Sequence, residues 1–154
     1  MRAGLGEAAL RVEHVGSTAV PGLDAKPVID IQVSVVRLGD EDCYVPQLAR
    51  LGVPLRSRDL WHRFFCPAPG EPRRVQIHVC PEGSAWERDH LLFRDHLRAH
   101  PEALAEYAAL KRELARRWRD DRPAYTDAKS GFILDTLEAA EAWARETGWR
   151  VTAG

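Results

Sequence analysis

The spacing of apolar residues changes character about halfway along the chain. In the first half, short apolar runs at 11–15, 28–36, 62–66 and 74–80 predict four strands. The run at 28–36 is nearly continuous and rich in Val and Ile, which is typical of a strand covered on both faces. The Pro- and Gly-rich segment 67–72 predicts a hairpin between the last two strands. We therefore expect a mixed sheet of about four to five strands.

A short helix is predicted between the second and third of these strands. Asp40 is a candidate N-cap for this helix, and Gly52 is a candidate for its C-terminal stop. Its apolar side would carry Tyr44, Val45, Leu48 and Leu51.

The second half of the chain has helical spacing. Ser84 and Glu87 have the spacing of a capping box, and the helix that they open should run to about Ala99. Pro101 favours the first turn of a second helix, and residues 131–148 predict a third. One face of the second helix would carry Leu104, Tyr107, Lys111, Leu114 and Trp118. A sheet followed by long helices predicts an α/β or α+β fold.

Length and composition are those of an ordinary globular domain. The 154 residues are 45% hydrophobic and 29% charged, which favours a single domain over residues 1–154 with one core. The net charge of −1 gives no general attraction to nucleic acid or to an anionic membrane. No stretch reaches the ~18 apolar residues of a membrane span, and the three cysteines have no paired spacing. We expect a cytoplasmic protein that binds neither nucleic acid nor membranes.

A turn that combines glycine with hydroxyl side chains follows the first strand. Gly16 allows the backbone to approach a ligand closely, and the Ser17 and Thr18 hydroxyls are hydrogen-bond donors beside it. Successive backbone amides in such a turn can converge on an anion. The segment therefore predicts a phosphate-binding turn, although Gly-Ser steps also occur in plain turns.

The second strand carries a single carboxylate among apolar residues. Alternation places Asp30, Gln32 and Ser34 on one face of this strand. A carboxylate is costly to bury unless it is paired or binds a metal ion. Two interpretations stay open: an ion pair with Lys26 or an arginine, or a Mg²⁺ ligand beside the phosphate-binding turn.

These residues resemble a known pattern. The Gly-Ser step followed by Asp30 resembles the Gly-Ser…Asp-x-Asp signature of the DNA polymerase β-like nucleotidyltransferase superfamily. More closely, residues 13–31 resemble the GrpB-like family, and the likeness continues over 75–115 and into 125–133. The resemblance implies a nucleotidyltransferase-like core whose Gly-Ser turn faces a nucleotide or phosphate group. In some proteins of this family the domain is fused to a dephospho-coenzyme A kinase.

The chain departs from the superfamily signature at the second acid. Two residues after Asp30 stands Gln32, which is neutral and a poor ligand for Mg²⁺. The strand at 74–80 offers His78 in place of a further carboxylate. Asp30 and His78 are the candidate catalytic residues, and with His14 they are candidate ligands for Mg²⁺, Mn²⁺ or Zn²⁺. A purely structural hydrogen bond between Asp30 and His78 is the alternative.

Cationic side chains are candidates for binding the phosphates. Lys26 and Arg63 lie near the predicted strands, and the resemblance implies Arg94, Lys111 and Lys129 from the helical half. The charge run that follows Lys111 is interleaved with acids and predicts a solvated helix face. The expected partner is a nucleotide or a phosphorylated small molecule.

Three functions fit this sequence. The first is a metal-assisted nucleotidyl or phosphoryl transferase that uses Asp30. The second is a catalytically inactive binding or accessory module that keeps the phosphate-binding turn. The third is a stabilising domain in which the cluster around Asp30 and His78 is only structural.

Overall fold

The chain folds around a five-stranded mixed sheet. The structure is a computed structural model and describes residues 2–152. The strand order is β1-β2-β5-β4-β3, with β2 and β5 parallel and the other neighbouring pairs antiparallel. The strands are β1 (Arg11–Val15), β2 (Ile29–Val35), β3 (Leu55–Arg58), β4 (Arg63–Phe65) and β5 (Val75–Pro81). The predicted mixed α/β (α+β) fold is confirmed.

Four of the strands lie within one residue of their predicted ends, and the hairpin between β4 and β5 is antiparallel as expected. The strand β3 was not predicted. Only Leu55 of its four residues is partly buried, and the other three are exposed. A short, polar strand at the edge of a sheet has no apolar alternation by which to recognise it.

Three long helices follow the sheet, as predicted. The helices are α1 (Arg2–Leu5), α2 (Val45–Arg50), α3 (Ala85–Ala99), α4 (Pro101–Arg117) and α5 (Arg122–Thr147). Ser84 caps α3, since its Oγ accepts a hydrogen bond from the Glu87 backbone N–H at 3.2 Å. Asp40 does not cap α2, contrary to the prediction, because α2 begins only at Val45 and Tyr44 is its N-cap. The Asp40 carboxylate pairs with Arg37 at 2.9 Å.

The helix α5 begins earlier than predicted. The sequence places its start at residue 131, whereas the helix starts at Arg122. Asp121 is its N-cap, because Oδ1 accepts a hydrogen bond from the Ala124 backbone N–H at 3.0 Å. Gly131 therefore lies inside the helix, and its low helix propensity is outweighed by the cap and by packing. As a result, Lys129 lies on a helix.

The two faces of the sheet are covered by different helices. One face packs on α1 and α2 through a core that includes Val33, Val35, Phe65, Ile77 and Val79. The other face lies under α3, α4 and α5, which pack on one another through separate apolar clusters. None of the helices within residues 2–152 has the length and apolar composition needed to cross a bilayer.

A buried polar network fixes α3 to the second face of the sheet. The Glu87 carboxylate is 1% exposed and accepts hydrogen bonds from Arg11, from Ser34 and from the Gly83 backbone N–H. Gln32 is fully buried beside it, and its Nε2 donates to the Glu87 carbonyl at 3.2 Å. Gln32, which stands where the superfamily signature has its second acid, is thus enclosed between β2 and α3.

Candidate functional site

The Gly-Ser turn packs directly against Asp30. Gly16 has φ 72° and ψ −171°, a backbone conformation that is essentially restricted to glycine. A Cβ atom at this position would lie 2.5 Å from Asp30 Oδ2 and 3.0 Å from Asp30 Cβ. The β1–β2 register pairs Val15 with Asp30 and so brings the turn over the carboxylate. Glycine is therefore required for this close approach of the turn to β2.

The turn and Asp30 open onto a common groove. The groove has a volume of about 740 Å³, which is within the usual range for a small-molecule site. It lies between the turn, the β1–β2 connection and the facing sides of α4 and α5. Of the predicted site residues, the groove is lined by Ser17, Thr18, Lys26, Asp30, Lys111 and Lys129.

Lys111 connects helix α4 to the turn. Its Nζ donates to Ser17 Oγ at 2.7 Å and to the Asp24 carbonyl at 2.8 Å. Partial burial and the neighbouring Lys129 together lower the pKa of Lys111 to about 8, against the opposing effect of Asp24 and Asp30. The cation is thus held beside the Ser17 hydroxyl and is poorly solvated, which strengthens its attraction for an anion.

His14 stabilises the turn. Its Nε2 lies 2.8 Å from Thr18 Oγ1, and that hydroxyl donates to the Val28 carbonyl at 3.2 Å. Because a threonine hydroxyl has one proton, His14 Nε2 must be the donor in its contact with Thr18. In this tautomer Nε2 stabilises the turn and has no lone pair for a metal ion, so only Nδ1 of His14 keeps one.

Asp30 has the imidazole of His78 as its neighbour. The distance from His78 Nε2 to Asp30 Oδ1 is 3.7 Å, and both side chains are roughly a quarter exposed. Within the described chain, Asp30 pairs with His78 and not with Lys26. The His78 ring lies 5.4 Å from the Trp86 ring and 5.2 Å from the Phe64 ring, so aromatic contacts fix its orientation. Trp86 is half-buried in this stack.

The donor atoms around Asp30 do not form a metal centre. Residues 2–152 contain no group of three or more His, Cys, Asp or Glu side chains arranged to bind a metal ion. Gln32 is enclosed under α3 and faces the Glu87 carbonyl, away from solvent. Within the described residues, Asp30 therefore has His78 beside it but is not part of a cluster of metal-binding side chains.

Two of the predicted phosphate-binding arginines are committed elsewhere. Arg94 donates to Glu13 at 2.8 Å, to Asp95 at 2.7 Å and to the His14 carbonyl. Arg63 lies away from the groove, contrary to the prediction. It pairs with Glu41 at 2.7 Å, and alternation along β4 turns it away from the face that carries His78.

Part of the groove was missed by the sequence interpretation. Arg112 and Arg119 of the charge run after Lys111 are exposed, as predicted, but with Trp118 they also line the groove. Trp118 and Arg119 stand seven and eight positions after Lys111. Residues at this spacing from Lys111 lie on the same side of a helix. The spacing is therefore the feature of the sequence that could have indicated that they line the groove.

The fold and the position of the turn define a class of protein. A Gly-Ser turn lies between β1 and β2, an aspartate lies near the start of β2, and the chain belongs to the nucleotidyltransferase-like superfamily. The family described as GrpB protein matches residues 1–139. The chain belongs to the GrpB family, and the resemblance seen in the sequence is confirmed.

Similar proteins agree with this assignment. A UPF0157 protein of Streptomyces coelicolor is 46% identical over 123 residues, which cover 80% of this chain and 64% of that protein. The crystal structure of the conserved protein GrpB from Enterococcus faecalis superposes with a TM-score of 0.80 at 31% identity, covering 92% of this chain and 87% of that one. A dephospho-CoA kinase of Mycolicibacterium paratuberculosis is 35% identical over 171 residues, covering 94% of this chain. The match spans only 42% of the kinase.

Proposed function

We propose that this chain binds a nucleotide or another phosphorylated small molecule in the groove beside Gly16 and Asp30, without a resident metal ion. The observation that carries this proposal is the contact between the Lys111 ammonium and the Ser17 hydroxyl, at a turn that only glycine permits. A phosphate at this point would meet a poorly solvated cation and a hydroxyl donor, which together give charge-assisted hydrogen bonds.

The charge of the groove supports this proposal. Five cationic side chains and three carboxylates line it, so the local balance is positive although the net charge of the whole chain is −1. The cations are Lys26, Lys111, Arg112, Arg119 and Lys129. Opposite charges concentrated in a concave surface raise the local concentration of an anionic ligand.

The side chains do not fit the two-metal chemistry that the superfamily implies. That chemistry requires several carboxylates around two ions, whereas Gln32 is neutral and buried and His14 Nε2 is committed to Thr18. Asp30 alone would hold Mg²⁺ weakly. We therefore favour a catalytically inactive binding or accessory module over a metal-assisted transferase.

We place this protein in the cytoplasm, where free cysteines such as Cys43, Cys66 and Cys80 remain unpaired.

Calorimetry of ligand binding tests the proposal. ATP, coenzyme A and inorganic tripolyphosphate are titrated into the protein with Mg²⁺ and, separately, with EDTA. Coenzyme A is included because some relatives are named dephospho-CoA kinase. We expect at least one probe to bind in EDTA, and Lys111→Met to weaken binding about tenfold or more.

A matched control distinguishes the loss of a cation in the groove from a change in the net charge of the protein. Arg116→Met removes a cation from an exposed position of the same helix that does not line the groove, and it should leave the affinity unchanged. If no probe binds, or if Lys111→Met binds as well as the wild type, the proposal is wrong. Binding that appears only with Mg²⁺, together with turnover, would instead support the metal-assisted transferase.

A further inference from the structure

A smaller inner pocket borders the same groove. It has a volume of about 260 Å³, and it shares Ser17, Asp30 and Lys129 with the wall of the groove. The three shared side chains place the two spaces next to each other, close enough for one ligand to contact both. The volume is just below the roughly 300–1,000 Å³ of sites that enclose a whole drug-sized molecule. It therefore suits one ring system and not a whole nucleotide.

The walls of the inner pocket are mainly apolar and are held by aromatic packing. Tyr107 is 5% exposed and meets the Phe93 ring edge-on at 5.4 Å, while the Phe132 ring stacks on it at 5.2 Å. These contacts join α3, α4 and α5, so the pocket is formed without a ligand. The apolar wall residues are Val20, Leu23, Phe93, Leu97, Ile133 and Leu137.

The polar groups of the inner pocket differ between its two sides, because Ser17 and Lys129 border it beside the groove and acceptors border it on α3. The carboxylates of Asp30 and Asp89 border it, as does the imidazole of His90. Burial raises the pKa of Asp89, which marks a carboxylate that is incompletely solvated. The Arg94 guanidinium also lines the pocket, but it donates to Glu13, Asp95 and the His14 carbonyl. The α3 side of the pocket, away from Lys129, is thus suited to an N–H donor on an apolar group and unsuited to a phosphate.

Groove and inner pocket together set the orientation of a ligand. We propose that the ligand is a phosphorylated molecule whose other end is a compact ring with N–H donors. This ring enters the inner pocket, and the phosphates lie against Lys111 in the groove. The inference rests on the proposed function and adds to it the chemical class of the ligand and its direction in the site.

Filling the inner pocket tests this inference separately from phosphate binding. Ile133→Phe adds volume to the pocket wall, and Leu134→Phe is the matched control, because Leu134 is the next residue of α5 and is 66% exposed. The probes are ATP, GTP and CTP, whose bases carry amino groups, and tripolyphosphate, which has no ring. The wild type should bind the tightest nucleotide at least tenfold more tightly than tripolyphosphate.

Substitutions in the inner pocket should change only the contribution of the ring to the binding affinity. Ile133→Phe should lose most of the preference for that nucleotide while its affinity for tripolyphosphate is unchanged, and Leu134→Phe should match the wild type. Asp89→Asn, which keeps the shape of the side chain, is a second variant that removes the carboxylate. It should weaken nucleotide binding several-fold without affecting tripolyphosphate.

The outcomes distinguish this inference from the proposed function. If the wild type binds tripolyphosphate as tightly as every nucleotide, the groove binds phosphate but the inner pocket takes no ring, and the inference is overturned. The inference is also overturned if neither Ile133→Phe nor Asp89→Asn changes the ratio of the affinities for the nucleotide and for tripolyphosphate. If neither nucleotides nor tripolyphosphate bind, the proposed function and the inference both fail.

Discussion

Replacing Gly16 by alanine probes the contact between the turn and Asp30. The new methyl group must occupy a position 2.5 Å from Asp30 Oδ2, 3.0 Å from its Cβ and 3.1 Å from its Cγ. The carboxylate oxygen can rotate away, but the Cβ atom of Asp30 is fixed by the strand. In addition, alanine must adopt φ 72° and ψ −171° unless the turn moves.

The structure gives the size of the effect. Holding a non-glycine residue in this region of backbone space costs about 1–3 kcal/mol. Crowding against Asp30 adds about 1 kcal/mol, the lower end for overpacked sites, because part of the contact is with a mobile side-chain end. We expect the free energy of unfolding to fall by about 2–4 kcal/mol. For a chain of this length, the melting temperature should fall by about 5–15 °C.

Urea denaturation of Gly16→Ala and of a control variant measures this loss. Gly148→Ala is the control, because Gly148 has nearly the same φ of 71° but a left-handed helical ψ of 22° and no atom within 4 Å of its would-be Cβ. The control should lose about 1–2 kcal/mol. A loss at Gly16 no greater than the loss at Gly148 would refute the close packing of turn and carboxylate.

A double-mutant cycle isolates the contact itself. Asp30→Gly removes the atoms that the new methyl group would meet, so it should relieve part of the cost of Gly16→Ala. The coupling between the two substitutions should be about 1 kcal/mol in that direction. Strict additivity would show that the cost comes from backbone strain alone, with the carboxylate elsewhere in solution.

Three further predictions concern other parts of the molecule. The pKa of Lys111 is lowered to about 8, so the affinity for tripolyphosphate should be nearly constant below pH 7 and should fall above pH 8 as the ammonium deprotonates. The affinity of Lys111→Met should not show this fall above pH 8. Glu87→Ala should lower the free energy of unfolding in urea by about 3–5 kcal/mol, since it leaves the buried Arg11 unpaired, and a loss below 1 kcal/mol would contradict the network. Only Cys43 is exposed, and burial raises the pKa of Cys80 to about 12, so a thiol reagent should label one cysteine rapidly in the native protein and all three in denaturant.

The sequence alone determined much of the local structure. The alternation of β1 and the continuous apolar run of β2 predicted those strands to within one residue. Ser84 and Pro101 predicted the starts of α3 and α4. These signals are short-range, because caps and side-chain periodicity depend on residues a few positions apart. The glycine of the turn and the acid of β2 were found in the same way.

The tertiary structure decided which of the candidate residues meet. Lys111 and Ser17 are 94 positions apart in the sequence, and their contact exists because α4 packs over the turn. Arg63 was a candidate for the phosphate site but faces away from the groove, because the face of a short strand depends on its partner strand. The burial of Gln32 follows from the position of α3 above β2. Residue identity therefore specified the chemistry available to this chain, whereas the packing of helices on the sheet decided which groups share a cleft. No local pattern encodes contacts between such distant segments.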